Sequence, residues 1–225
     1  MLNKELNANL ISEKVFDNWT IAWKELEFDQ KPYEFFKKEE GLITAAVFDA
    51  ADMTSLISTI GVSTVKVRFG LDEENKSFQI LLFGTDNTGQ ILTPYYVQAR
   101  NVYSALGEDE GEVPIELINQ WKRNWIVKGS ADEISNKSFL TPYGFTRGYN
   151  YPLKEFIQTL FKFEKAPDIL IEFVLHEYYG VNYLTTKEMT STFGVVLHGN
   201  DVSKGLDDGK DGGYYDLTAP CPRTC

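Results

Sequence analysis

Apolar residues fall at helical spacing at Val15, Trp19, Ala22, Trp23 and Leu26, behind Ser12, whose hydroxyl suits an N-cap. Leu117, Ile118, Trp121 and Trp125 repeat that stripe later in the chain, with Pro114 placed for a first helical turn. Two shorter amphipathic helices are expected around Met53, Leu56, Ile57 and Ile60 and around Leu153, Phe156, Ile157 and Leu160. Strict alternation marks strands at Val65, Val67, Phe69 and at Phe78, Ile80, Leu82. The same pattern returns at Ile169, Ile171, Phe173 and at Phe193, Val195, Leu197. Ile43-Thr44 with Phe48, and Leu140-Thr141 with Phe145, read as further strands.

These elements form five blocks that recur in one order. The last is the most specific: Phe78-x-Ile80-x-Leu82-x-Gly84-x-Asp86 has the spacing of Phe193-x-Val195-x-Leu197-x-Gly199-x-Asp201. Five matches in sequence order predict an internal duplication of a helix–strand–helix–strand–strand unit, hence an α+β fold with a pseudo-two-fold arrangement. The first copy is expected over residues 1–98 and an acidic linker over 99–112. The second copy follows over 113–204, and a Gly/Asp-rich tail over 205–225 ends in Cys-Pro-Arg-Thr-Cys. From Phe69 to Phe78 is 9 positions and from Phe173 to Phe193 is 20, so the second hairpin carries 11 extra residues, rich in tyrosine. Such insertions concentrate at loop tips and distinguish one copy from another.

Charge narrows the partners. Among 225 residues, 33 are acidic and 22 basic, a formal net charge of −11. Phosphate backbones and anionic bilayers need clustered Lys and Arg, and the only contiguous basic pairs, Lys37-Lys38 and Lys122-Arg123, are short. Neither nucleic acid nor membrane is therefore expected as a partner. No segment approaches the ~18 consecutive apolar residues of a membrane span, and the first residues lack a secretory pattern. A cytoplasmic location is the expectation.

Candidate chemistry is sparse. Asp86 and Asp201 are acids placed alike in both copies; Asp86-Asn87-Thr88-Gly89 has turn chemistry, while paired carboxylates across a two-fold axis are the catalytic alternative. His176 reads as a loop histidine and His198 as a strand histidine. Cys221, Cys225, His176 and His198 complete a Cys2His2 set for zinc only if the tail folds back, and no cofactor is expected. Asp207-x-Gly209-x-Asp211-Gly212 resembles the front of a calcium loop, but Thr218 stands where the bidentate Glu is needed. Spacing assigns the tryptophan pairs to packing, and exposed tyrosine supplies contact area at low entropy cost, which singles out Tyr178, Tyr179 and Tyr183.

The stretch Val65-Lys-Val-Arg-Phe-Gly-Leu-Asp, continued by Leu82-Phe-Gly-Thr-Asp-Asn-Thr-Gly, resembles a motif of small uncharacterised bacterial proteins. These share a Gly-x-Asp-x-x-Gly hairpin and end in a Cys-Pro-x-x-Cys tail, as Cys221 to Cys225 does here. The resemblance implies a lineage and no activity. The residues themselves point to a non-enzymatic binding or assembly protein that contacts a protein partner or itself. The alternative is an enzyme or small-ligand binder in the cleft between copies, using Asp86, Asp201 or His198.

Overall fold

A computed structural model describes residues 9–28, 32–104, 116–141, 143–160, 168–179, 189–200 and 219–221. The fold is mixed α+β, with two antiparallel sheets and a short third ladder. Strand β1 (Leu10–Ile11) precedes helix α1 (Glu13–Glu25), and Ser12 Oγ accepts from Val15 N at 3.3 Å, as the N-cap reading expects. There follow β2 (Lys37–Lys38), β3 (Gly41–Phe48), α2 (Ala50–Ser58), β4 (Thr64–Asp72), β5 (Ser77–Thr85), β6 (Tyr95–Val97) and β7 (Arg100–Ser104). The second half holds α3 (Glu116–Ser130), β8 (Leu140–Thr141), β9 (Gly144–Phe145), β10 (Gly148–Pro152) and α4 (Leu153–Leu160). Strands β11 (Asp168–Tyr179), β12 (Met189–Asn200) and β13 (Ala219–Cys221) complete it.

Each sheet takes strands from both halves of the chain. One runs β1-β6-β5-β4-β10-β13; the other runs β12-β11-β3-β2, with β7 also on β3. In the first, Tyr151 lies opposite Val65 and Val65 opposite Gly84. In the second, Phe48 lies opposite Ile169 and Ile169 opposite Gly199. Strand β10 thus meets β4 as β3 meets β11. The sequence matched β3 instead to Leu140-Thr141 with Phe145, which form only the β8–β9 ladder. Leu140-Thr141 and Phe145 satisfied the apolar pattern, but the 149–151 run supplies the sheet contacts.

The core lies between the sheets and is aromatic. Trp23, Phe36, Phe69, Phe78, Trp125, Phe139, Phe145, Phe173 and Phe193 are all fully buried. Trp23 packs edge-on to Phe139 at 5.2 Å, and Trp125 edge-on to Phe36 at 5.0 Å, while Phe36 and Phe139 stack at 5.8 Å. Trp23 Nε1 donates to Thr146 O and Trp125 Nε1 to Ile43 O, both at 2.9 Å. Tyr149 Oη donates to Phe193 O at 2.9 Å, joining one sheet to the other.

Other expectations shift in detail. The linker expected from residue 99 begins as strand β7, because Arg100–Ser104 complete the ladder on β3. The tail contributes β13, with Ala219, Pro220 and Cys221 opposite Asn150, Tyr149 and Gly148. Part of the second hairpin's expansion is ladder and not loop: β11 and β12 have 12 residues each against 9 in β4 and β5. The tryptophans divide, since Trp23 and Trp125 are core while Trp19 and Trp121 are half-buried. The first of the two short helices ends at Ser58, which leaves Ile60 outside it and exposed.

Gly148 has φ +145°, and a Cβ there would run into the Val67 carbonyl oxygen. Gly148→Ala is expected to cost more than about 2 kcal/mol in urea unfolding. Gly89→Ala, at φ +90° with nothing within 4 Å, is expected to cost about 1 kcal/mol. Equal losses at the two sites would contradict the tight β4–β10 contact.

Candidate functional site

The inner face of β4 is Val65, Val67 and Phe69, so Thr64, Lys66 and Arg68 face the other way. Opposite Lys66 in the ladder stands Phe83, and opposite Thr64 stands Thr85. Helix α1 covers one end of this outer face. A Cβ at Gly70 would sit 3.0 Å from Trp19 Cβ, and Phe16 packs edge-on to Phe83 at 5.4 Å and stacks on Tyr95 at 4.2 Å. Beyond α1 the face stays open and forms a recess of about 480 Å³. Thr64, Lys66 and Arg68 line one wall, Phe83 and Thr85 the next, and Asp86–Gly89 with Ile91 close the end.

Arg68 is held rigidly from one side. Its Nη1 donates to Val67 O at 2.8 Å, Tyr149 O at 3.1 Å and Asn150 Oδ1 at 3.0 Å, all neutral acceptors. The guanidinium also lies over the Phe83 ring, 5.8 Å from its centroid. Burial pushes the Arg68 pKa down to about 10. Lys66 is lowered too, first by burial and then by repulsion from Arg68. Among the described residues neither has an ion-pair partner. Thr85 is buried, and its hydroxyl has no hydrogen-bond partner among the described residues. The recess therefore concentrates positive charge and unused donors in a chain of net charge −11.

Asp86 borders the recess as the turn former its sequence suggested. Its Oδ1 accepts from Thr88 Oγ1 at 2.7 Å, Thr88 N at 2.8 Å and Gln90 N at 2.9 Å. The Thr88 hydroxyl, then the backbone amides, holds its carboxyl below the usual range against the opposing effect of desolvation. Asp201 and Tyr183 lie outside the described residues, as do Pro114, Cys225 and the Asp207–Gly212 stretch. Tyr178 and Tyr179 lie in the β11 ladder, opposite Thr190 and Met189.

His198 sits on β12 in the other sheet, opposite Leu170 and away from the recess. Burial lowers its pKa, with Glu172 opposing and Lys122 reinforcing the shift. His176 belongs to β11, not to a loop, and packs on Trp121 at 4.1 Å. In the ladder His176 pairs with Thr192, six residues along β12 from His198. At ~3.3 Å per residue that separation is about 20 Å, too far for both histidines to ligate one ion. Among the described residues no three His, Cys, Asp or Glu side chains cluster as metal ligands, and no helix is long and apolar enough to cross a membrane.

The sequence reading did not single out Lys66 and Arg68. Their signal was present as basic residues alternating with Val65, Val67 and Phe69, which puts both on one face of a strand. What the alternation could not convey is that no described residue forms an ion pair with either. Compared with protein families, curated proteins and solved structures, the chain matches none.

Because His198 is held neutral, the unfolded chain takes up a proton below its ordinary pKa of 6.5 that the folded chain resists. His198 then favours the fold fully above pH 6.5, and that contribution falls as the pH drops through the lowered folded value. His198→Gln is expected to flatten the acid limb of stability against pH, followed by urea unfolding from pH 7.5 to 5 (roughly the span over which an ordinary histidine titrates). An unchanged limb would count against this assignment.

Proposed function

We propose that this chain is a non-enzymatic binding protein built from two copies of one unit, and that it grips a protein partner through an anionic group seated in the recess. The duplication is supported by the matched registers of β4–β5 with β10 and of β11–β12 with β3. It is supported again by the reciprocal indole bonds, Trp23 to Thr146 and Trp125 to Ile43. Extending the comparison, β7 on β3 corresponds to β13 on β10.

The observation that carries the binding reading is the pair Lys66 and Arg68, partly desolvated on one wall with no ion-pair partner among the described residues, while Asp86 at the rim is bound to its own turn. Two like charges held together out of water oppose folding unless an anion completes them. The surrounding acidic surface makes a partner's anion more selective for this one place, since it is repelled elsewhere. A small anionic ligand in place of a protein is the second reading. It is favoured by the recess volume of about 480 Å³ and by Arg68 being fixed on Tyr149 and Asn150, residues of the other half.

Binding to the native state raises the midpoint of thermal unfolding by mass action. Millimolar pyrophosphate (on the order of the weak affinity of a single charged group) is expected to raise the midpoint for the wild-type chain. Backbone amide shifts should cluster at residues 64–68 and 83–91, and Lys66→Ala with Arg68→Met should abolish both effects. A midpoint shift of equal size in the double variant would remove the recess as the binding place.

A further inference from the structure

We infer that the recess is built for a phosphate monoester, with Arg68 Nε and Nη2, Lys66 Nζ and the Thr85 hydroxyl as its donors. This rests on the recess being the binding site. Three features select this anion from others. The first is the orientation of Arg68. With Nη1 committed to Val67 O, Tyr149 O and Asn150 Oδ1, the guanidinium plane is fixed. Its remaining edge, Nε and Nη2, has no partner among the described residues and presents the two-pronged fork that holds oxyanions.

The second is the number and spread of donors. Lys66 lies two residues from Arg68 on the same strand face, and Thr85 stands on the neighbouring strand one pair away from Phe83. A planar carboxylate has two oxygens and is satisfied by the fork alone. A phosphate ester has three terminal oxygens in a tetrahedral array, so it can keep the fork and still reach donors on two strands. The buried, unpartnered Thr85 hydroxyl is a donor that a carboxylate leaves idle.

The third is charge and size. Lys66 and Arg68 together carry two positive charges, and a phosphate monoester carries about −1.5 to −2 at pH 7. The recess is far larger than a phosphate alone, and Phe83 and Ile91 supply apolar wall for whatever the phosphate is attached to. That attachment is either a phosphorylated side chain of a protein partner or a small organic phosphate; the chemistry recognised is the same.

Calorimetric titration of the full chain tests this with four probes: phenyl phosphate, benzoate, a phosphoserine peptide and its glutamate counterpart. Phosphate probes are expected to bind at least tenfold tighter than their carboxylate matches (roughly the worth of one further hydrogen bond to a charged group). Arg68→Met is expected to abolish binding, and Lys66→Ala, which touches no hydrogen bond of the fold, to weaken it about tenfold. Thr85→Val should weaken phosphate probes about fivefold while leaving carboxylate binding unchanged and not lowering thermal stability, since it removes a buried, unsatisfied hydroxyl. Preference for the peptide or for phenyl phosphate assigns the source, and either supports the inference. Carboxylates binding as tightly as phosphates, with Thr85→Val silent, would overturn the phosphate class and leave the anion recess standing. No binding by any probe, or binding indifferent to both basic residues, would overturn the two together.

Discussion

Two buried indole N–H groups constrain the whole architecture. Trp23 and Trp125 are fully buried among other rings. Each finds a carbonyl acceptor across the chain, Trp23 at Thr146 and Trp125 at Ile43. Burying either donor without its acceptor costs a substantial fraction of a domain's net stability. Ile43 lies on β3 and Thr146 just before β10, each in the half of the chain that does not hold its tryptophan. Separating the halves would orphan both donors at once and open the Phe36–Phe139 stack that lies between them. Both bonds agree with sheets that each take strands from both halves.

With the inner faces so committed, the outer faces of the two hairpins are where the halves diverge. On β11 and β12 the outer face is Glu172 and His198 under α3, and Lys122 from that helix meets Glu172 at 2.6 Å. On β4 and β5 it is Arg68 and Phe83, and α1 stops short, covering Gly70 and Phe83 but bringing no carboxylate to the arginine. One face is closed by its own helix with opposite charge, and the other is left open with its charge uncompensated. A partner's anion on the first hairpin would do for Arg68 what Lys122 does for Glu172. Under the proposed duplication Arg68 and Glu172 occupy matching places, the one without and the other with an opposite charge from its own helix among the described residues.

The strands that were easiest to read were those with one wet face. Val65, Val67 and Phe69 against Lys66 and Arg68 specify a half-buried strand from local sequence, as do Phe78, Ile80 and Leu82. Strand β10 was missed because Tyr149, Asn150 and Tyr151 are all buried, with β4 and β13 on either side, so its sequence has no alternation to detect. His176 read as a loop residue because it falls in the extra residues between Phe173 and Phe193; the ladder continues past it to Tyr179. The catalytic alternative relied on Asp86, whose carboxylate is taken up by its own turn.

Sequence by itself determined whatever depends on neighbours within a turn or two: the Ser12 cap, the Asp86 turn, the helical stripes and the faces of the regular strands. These rest on hydrogen bonds and side-chain directions that span four residues or fewer, so the chain carries them locally. Tertiary structure alone decided which carbonyl each tryptophan meets, that β3 and β10 cross between halves, and that Lys66 and Arg68 share a recess without an ion-pair partner among the described residues. Those outcomes turn on contacts such as Arg68 to Asn150, 82 positions apart. Whether a charge is compensated depends on everything packed around it, and a linear sequence does not record that neighbourhood.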